Sequence, residues 1–289
     1  MAQTKEISRR IKSIASTKKI TKAMEMVAAA KMRKASEAVL KTRAYAHLSW
    51  ETILNLSRLA QSKNQDLHPL LSKRAEVKRV AVILITSNRG LCGGFNAAII
   101  NKVRDAIQKD GLPADMILVG RKGAILHNQG YEVVAEFPKA DLLVNSNETN
   151  PIALLAIADF LSGKYDKVLL AYTDFVSPVK QVPRVKQLLP VEMDSESEDE
   201  ELTSDYTFEP SPSEVLNLMI PKLVEVQLYQ ALLESNAAEH SARMTSMHQA
   251  TEAATDMVSE LTLYYNKARQ ASITAEIAEI SAGANALNE

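Results

Sequence analysis

The stretch MTSMHQATEAATDMVSELTLYYNKARQASITA, residues 244–275, decides the fold. Its small and apolar residues fall at alternating steps of three and four: Met244, Met247, Thr251, Ala254, Val258, Leu261, Tyr265, Ala268, Ser272 and Ala275. That spacing keeps one seam of a helix turned toward a partner helix over several heptads, so it reads as half of a coiled coil. Most seam residues are small, which lets two helices approach closely while each contact removes little apolar area from water. The far tip is therefore expected to depend on a surrounding partner for its stability.

Outward from this stretch the helix continues. No Gly or Pro interrupts residues 222–282, and Gly283 stands where a C-cap is expected. Upstream, Ser211-Pro212-Ser213-Glu214 has the form of a capping box with Pro at the first helical position, and Pro221 is placed to kink the first turns. Such a helix reaches roughly 100 Å. At the other end, residues 1–68 also lack Gly and Pro, with Ile7, Ile11, Ile14, Ile20, Met24 and Val27 at helical spacing. About 55 helical residues there span roughly 80 Å, far more than a small domain. An ordinary bundle is the alternative, but it needs further long helices to cover these two, and the sequence offers none. The expectation is an antiparallel two-helix coiled coil formed by the N- and C-terminal helices.

Between the helices the period changes. Arg79–Thr86 reads as a buried strand, Phe95–Lys109 as a helix, Asp115–Gly120 and Tyr131–Phe137 as strands, Ile152–Leu161 as a helix and Lys167–Thr173 as a strand. Alternation of strand and helix predicts an inserted small α/β, Rossmann-like domain with a largely parallel sheet. Val179–Pro190 adds a strand that its prolines confine to an edge. The expected division is 1–60 and 211–287 for the two coiled-coil helices, 75–190 for the α/β domain and 191–210 for an acidic loop.

Net charge is −1, but the signs are segregated. Residues 1–43 carry twelve Lys or Arg against Glu6, Glu25 and Glu37, whereas residues 191–214 carry ten acids and no base. Segregation of this kind speaks of partners. Nucleic acid is disfavoured as the partner of the basic helix, because Met24, Met26, Val27 and Ala28-Ala29-Ala30 sit among the lysines with no aromatic for stacking. Acidic loops of protein partners account for the charge at least as well. Cys92 is the single cysteine, which excludes an intramolecular disulfide and suits a reducing compartment. The basic N-terminus lacks the apolar core of a signal peptide, and no window approaches the roughly 18 apolar residues that span a bilayer.

Candidate chemistry is sparse. The loop Thr86-Ser87-Asn88-Arg89-Gly90-Leu91-Cys92-Gly93-Gly94-Phe95-Asn96 follows a strand and opens a helix, where phosphates are often cradled. A P-loop needs Lys and Ser or Thr after its last Gly, and Phe95 and Asn96 stand there instead. The loop is expected to be a tight turn that presents Arg89 to a neighbour. His47, His68, His127, His240 and His248 show no metal spacing, and no nucleophile, base or carboxylate constellation can be argued. Neither a catalytic residue nor a cofactor or metal site is expected.

Two segments carry a resemblance. Arg9-Arg10-Ile11-Lys12-Ser13-Ile14 continuing to Lys19-Ile20-Thr21-Lys22-Ala23-Met24-Glu25-Met26-Val27-Ala28 is similar to the N-terminal helix of the γ subunit of F-type ATP synthases, bacterial type. Tyr265–Ala284, with Ile273-Thr274-Ala275-Glu276, Glu279 and Gly283-Ala284, resembles the same family's C-terminal signature. The glycine loop is also family-like, although Asn88 stands where the family usually has Asp, and Thr251–Thr255 only approximates the usual Ala-Thr-x-Asn-Ala. The resemblance spans the chain. It implies a rotor shaft whose coiled coil turns inside a hexamer of alternating α and β subunits, while the α/β domain and basal coil meet the ε subunit and the membrane c-ring. Ion flow through the c-ring is then coupled to ATP synthesis, or hydrolysis to ion pumping, with nucleotide chemistry in β and α and none in this chain. By match to the family's contact regions, Lys19, Lys22, Met24, Met26, Arg243, Gln270, Thr274 and Glu276 are the expected coupling contacts beside Arg89. The lone cysteine and the absence of a transit peptide point to a bacterial enzyme, peripheral on the cytoplasmic face of the cell membrane. A non-rotary coiled-coil tether and a nucleotide-binding α/β enzyme are the competing readings.

Overall fold

The structure is a computed structural model that describes residues 2–62, 68–72, 74, 76–142, 148–191 and 212–286. Its elements in chain order are α1 (Ala2–Ser62), β1 (Val80–Ile85), α2 (Phe95–Asp110), β2 (Ala114–Val119), a 3₁₀ helix (Arg121–Gln129), β3 (Glu132–Phe137), α3 (Asn150–Leu161), β4 (Lys167–Phe175), β5 (Gln181–Leu189) and α4 (Pro212–Ala286). The residues form two compact units, one of Met1–Ala28 with Arg243–Glu289, the other Ala29–Ala242.

In the unit of residues 29–242 a five-stranded sheet runs in the order β3-β2-β1-β4-β5. The first four strands are parallel and β5 pairs antiparallel to β4. All six residues of β1 are buried, because helices cover both faces of the parallel strands at that point. One face, with Val82, Leu84, Met116 and Leu118, packs on Ile99, Ile100 and Val103 of α2 and on Leu126 of the 3₁₀ helix. The opposite face, with Ile83, Ile85, Ile117 and Leu170, packs on α3 and on Leu216, Ile220, Val224 and Leu228 of α4. The first turns of α4 are thus core of the sheet domain. The edge position foreseen for the proline-bearing strand is where β5 lies, with Pro183 within it.

The 3₁₀ helix was not foreseen. Gly120, which precedes it, has φ 98, and a Cβ there would stand 2.4 Å from the Thr86 carbonyl oxygen, so only glycine fits. Thr86 fills the space, donating to the Gly120 carbonyl at 3.0 Å and accepting from the Gly123 N–H at 2.9 Å.

Pro221 lies inside α4, among its first turns. One expectation about the helices changes. Gly283 is no cap, since the helix runs on to Ala286. The acidic loop of 191–210 and Ser211 of the capping box lie outside the described residues, apart from Val191.

Candidate functional site

In the unit of residues 1–28 and 243–289 the functional surface is a helix pair. On α1 the partly buried positions Thr4, Ile7, Ile11, Ile14, Lys18, Thr21, Glu25 and Ala28 alternate in steps of three and four. On α4 they are Met247, Thr251, Ala254, Val258, Leu261, Tyr265, Ala268 and Ser272, the seam read from the sequence. The pair runs antiparallel: Thr251 donates from Oγ1 to Thr21 Oγ1 at 2.8 Å, and one turn along, His248 Nδ1 lies 3.3 Å from Glu25 Oε1. Two parts of the expectation fail. Ile20 and Val27 are 58% and 57% exposed, because Lys18, Thr21 and Glu25 hold the seam positions that hydrophobicity alone would not select. At the other end Ala275 is exposed, so the seam stops at Ser272.

The charges around this seam are specific. Lys22 donates to Glu25 at 2.9 and 3.0 Å, and this hydrogen bond above all, with the Lys22 and His248 charges beside it, holds the Glu25 carboxyl below the usual carboxylate range. His248 also reaches Glu252 through Nε2 at 3.4 Å. Toward the start of α1, Lys5, Arg9 and Lys12 line a cleft of about 310 Å³ with Thr4, Ser8 and Tyr265. It is a concentration of positive charge facing solvent.

The residues singled out from the sequence fall on this unit with one exception. Lys19 is exposed, Lys22 is engaged with Glu25, Met24 is half-buried at the flank of the seam, and Met26 is 59% exposed. Arg243 is partly buried, and Gln270 and Thr274 are exposed. Glu276 accepts from Ser272 Oγ at 3.2 Å. Beside Met26, the sequence reading missed the rest of the exposed apolar set on both helices: Ile20 and Val27 on α1, and Met257, Leu263, Tyr264, Ile273, Ile277 and Ile280 on α4. Solvent-facing apolar side chains at this density mark a surface that other protein covers.

Arg89, the exception, is exposed on the loop after β1 in the other unit. The loop is tied internally, with Asn96 Oδ1 accepting from the Ser87 N–H at 3.0 Å and Ser87 Oγ donating to the Arg89 carbonyl at 2.7 Å, and with Leu91 at φ 61. It sits where the strand order reverses at β1, the crevice in which doubly wound sheets usually hold ligands. Here the chain fills its own crevice. Cys92 and Phe95 pack against Ala35 and Val39 of α1 and Leu233, Ala237 and Ala238 of α4. Lys139, beyond β3, forms a buried ion pair with Glu239 at 2.8 Å and lies 5.5 Å from the Phe95 ring centre. Asn88 Nδ2 donates to the Lys139 carbonyl at 2.6 Å, a bond that an aspartate could not make. His240 is buried, its Nε2 3.0 Å from the Asp141 carbonyl, and no metal-binding cluster of His, Cys, Asp or Glu occurs among the described residues. No described helix is long and apolar enough to cross a membrane.

The family model described as ATP synthase matches residues 3–287. A protein named ATP synthase gamma chain from Moorella thermoacetica is 42% identical over 288 residues, covering 99% of this chain and all of the relative. Another of that name from Pelotomaculum thermopropionicum is 44% identical with the same coverage. Among solved structures, the central stalk and c-ring of Tetrahymena thermophila mitochondrial ATP synthase contains a chain similar at a TM-score of 0.62 and 25% identity, covering 80% of this chain and 99% of that one. A chain in the Euglena gracilis mitochondrial ATP synthase is similar in fold, with a TM-score of 0.65 at 17% identity over 99% of this chain and 95% of that one. Helix pair, filled sheet crevice and full-length match agree, and the chain belongs to the ATP synthase gamma chain family.

Proposed function

We infer that this chain is the central rotor shaft of an ATP synthase, without catalytic chemistry of its own, and that it turns inside a hexamer of three α and three β subunits. The observation that carries the reading is the helix pair of residues 1–28 and 243–286, whose seam is closed while Ile20, Met26, Val27, Ile273, Ile277 and Ile280 remain exposed. Around its circumference the pair presents different residues in different directions. Three chemically identical β subunits therefore meet three different surfaces, and each is biased toward a different nucleotide affinity. Turning the shaft exchanges the biases, which converts torque into binding energy or the reverse.

In this reading Lys19, Lys22, Met24, Met26, Arg243, Gln270, Thr274 and Glu276 contact α and β, as does Arg89 from the loop after β1. The sheet domain and the adjoining helix segments face ε and the c-ring, and the complex sits peripherally on the cytoplasmic face of a bacterial membrane. The division into coil helices at 1–60 and 211–287, a domain at 75–190 and an acidic loop at 191–210 describes these working parts. The test is reconstitution with α and β and a probe on the sheet domain. Cys92 is 2% exposed, so the handle is Lys109→Cys on the exposed end of α2. Stepwise rotation during hydrolysis is expected, whereas assembly and activity without rotation would leave a static scaffold.

A further inference from the structure

Beside the edge strand, the unit of residues 29–242 contains a cleft of about 570 Å³ that the rotor reading does not use. Its floor is apolar, with Leu170 and Leu188 from the sheet and Ala231 from α4. Its rim is charged, and most of that charge is spoken for. Arg43 lies 3.1 Å from Glu234 and 3.7 Å from Asp174, and Arg184 approaches Asp174 through Nε at 2.7 Å. Glu234 also accepts from Gln230 at 2.9 Å.

Two polar groups on the cleft wall remain unanswered. Tyr172 is 6% exposed, yet its hydroxyl makes no hydrogen bond to any described residue. Lys186, exposed on β5, has no acidic partner among the described residues. The register of the two strands places these groups together, since Tyr172 stands opposite Arg184 and Leu170 opposite Lys186. The Tyr172 hydroxyl is not among the fully buried polar atoms that lack a partner, so it is open to solvent at the cleft wall and available to a ligand, and a cleft of this volume is within the usual range for organic ligands, about 300–1,000 Å³.

We propose that this cleft binds a small amphipathic organic anion: its apolar body covers Leu170, Leu188 and Ala231, its phosphate or carboxylate meets Lys186 and Arg184, and it accepts a hydrogen bond from Tyr172. Arg43, Arg184 and Lys186 stand against Asp174 and Glu234 in the lining, and the excess positive charge, carried by Lys186 outside those ion pairs, sets the sign of the ligand's charge. The apolar floor fixes its organic character, because a bare ion would leave that surface wet.

The test is calorimetric titration of the full-length chain with 1-naphthyl phosphate and, in parallel, inorganic phosphate. Saturable one-to-one binding of naphthyl phosphate is expected, at least tenfold tighter than inorganic phosphate. Tyr172→Phe and Lys186→Gln should each weaken it about tenfold, the size of a hydrogen bond or ion contact to a charged group, with unchanged circular dichroism. No saturable binding, or binding unmoved by both variants, overturns the proposal. So does protection of Lys186 from acetylation that appears only on assembly with other subunits and never with naphthyl phosphate, because the cleft then belongs to a protein segment. Phosphate and carboxylate ligands are separated by repeating the titration with 1-naphthoate.

Discussion

An ammonium and a carboxylate taken out of water together, as Lys139 and Glu239 are with side chains 2% and 7% exposed, are stable only while both are present. Glu239→Ala leaves the buried lysine without its carboxylate and is expected to cost about 3–5 kcal/mol in urea denaturation. The double variant Lys139→Met/Glu239→Leu removes both charges and should recover most of that loss. A single variant no worse than the double would mean the ammonium finds water. A second residue carries a pH dependence. Asp166 accepts the Lys78 N–H at 2.8 Å and the Arg79 N–H at 3.1 Å, and these bonds, the Lys78 one foremost, hold its carboxyl below the usual range. With the folded value below the unfolded value of about 3.9, the contribution is complete above that pH and is lost as pH falls through the folded value. Melting temperatures from pH 7 to pH 3 should therefore fall more steeply for the natural chain than for Asp166→Asn, which starts lower. Parallel acid limbs would remove Asp166 from the account.

At the scale of the element, the seam of α4 was legible because nearly every seam residue is small or apolar and the steps of three and four hold without a break from Met244 to Ser272. The seam of α1 was harder to read. Lys18, Thr21 and Glu25 occupy it, with Thr21 donating to the Lys18 carbonyl and accepting from Thr251, and Glu25 met by Lys22 and His248, so hydropathy pointed instead at the exposed Ile20 and Val27. The strands of the sheet were legible from their buried runs. The 3₁₀ helix of Arg121–Gln129 was not, since its spacing mimics a loop and its cause is the tight fit of Gly120 over Thr86. Beyond Ser272, α4 has no seam left to bury, and residues 273–283 are all exposed. A helix segment held only by its own hydrogen bonds is marginal in water. In the isolated chain, amides of 273–283 should exchange at least tenfold faster than those of 247–265, and assembly with α and β should slow them. Equal protection in the free chain would show that the tip needs no partner.

For the molecule as a whole, the fold could be read from one sequence because its two long helices keep one period and the segment between them alternates strand and helix. Contact residues such as Met26 could be nominated only by resemblance, because under the proposed rotor reading the surfaces they meet belong to other chains. The geometry does constrain how the shaft can work. If α1 and α4 of the unit of residues 1–28 and 243–289 turn as one body, their mutual contacts persist throughout the cycle while their contacts to α and β change. Thr21 and Thr251 offer the check, since their side-chain oxygens are 2.8 Å apart across the seam. Cysteines at both positions should oxidise to a disulfide, whose S–S bond of about 2.05 Å suits such close side chains. The natural Cys92 is buried in the other unit, so it should not compete. In the reconstituted complex, oxidation is expected to leave ATPase rate and rotation within about twofold of the reduced state, because the bond ties the rotor only to itself. Arrest on oxidation with recovery on reduction would mean that the two helices slide past each other at every turn, and the shaft would then transmit torque by shear within the pair.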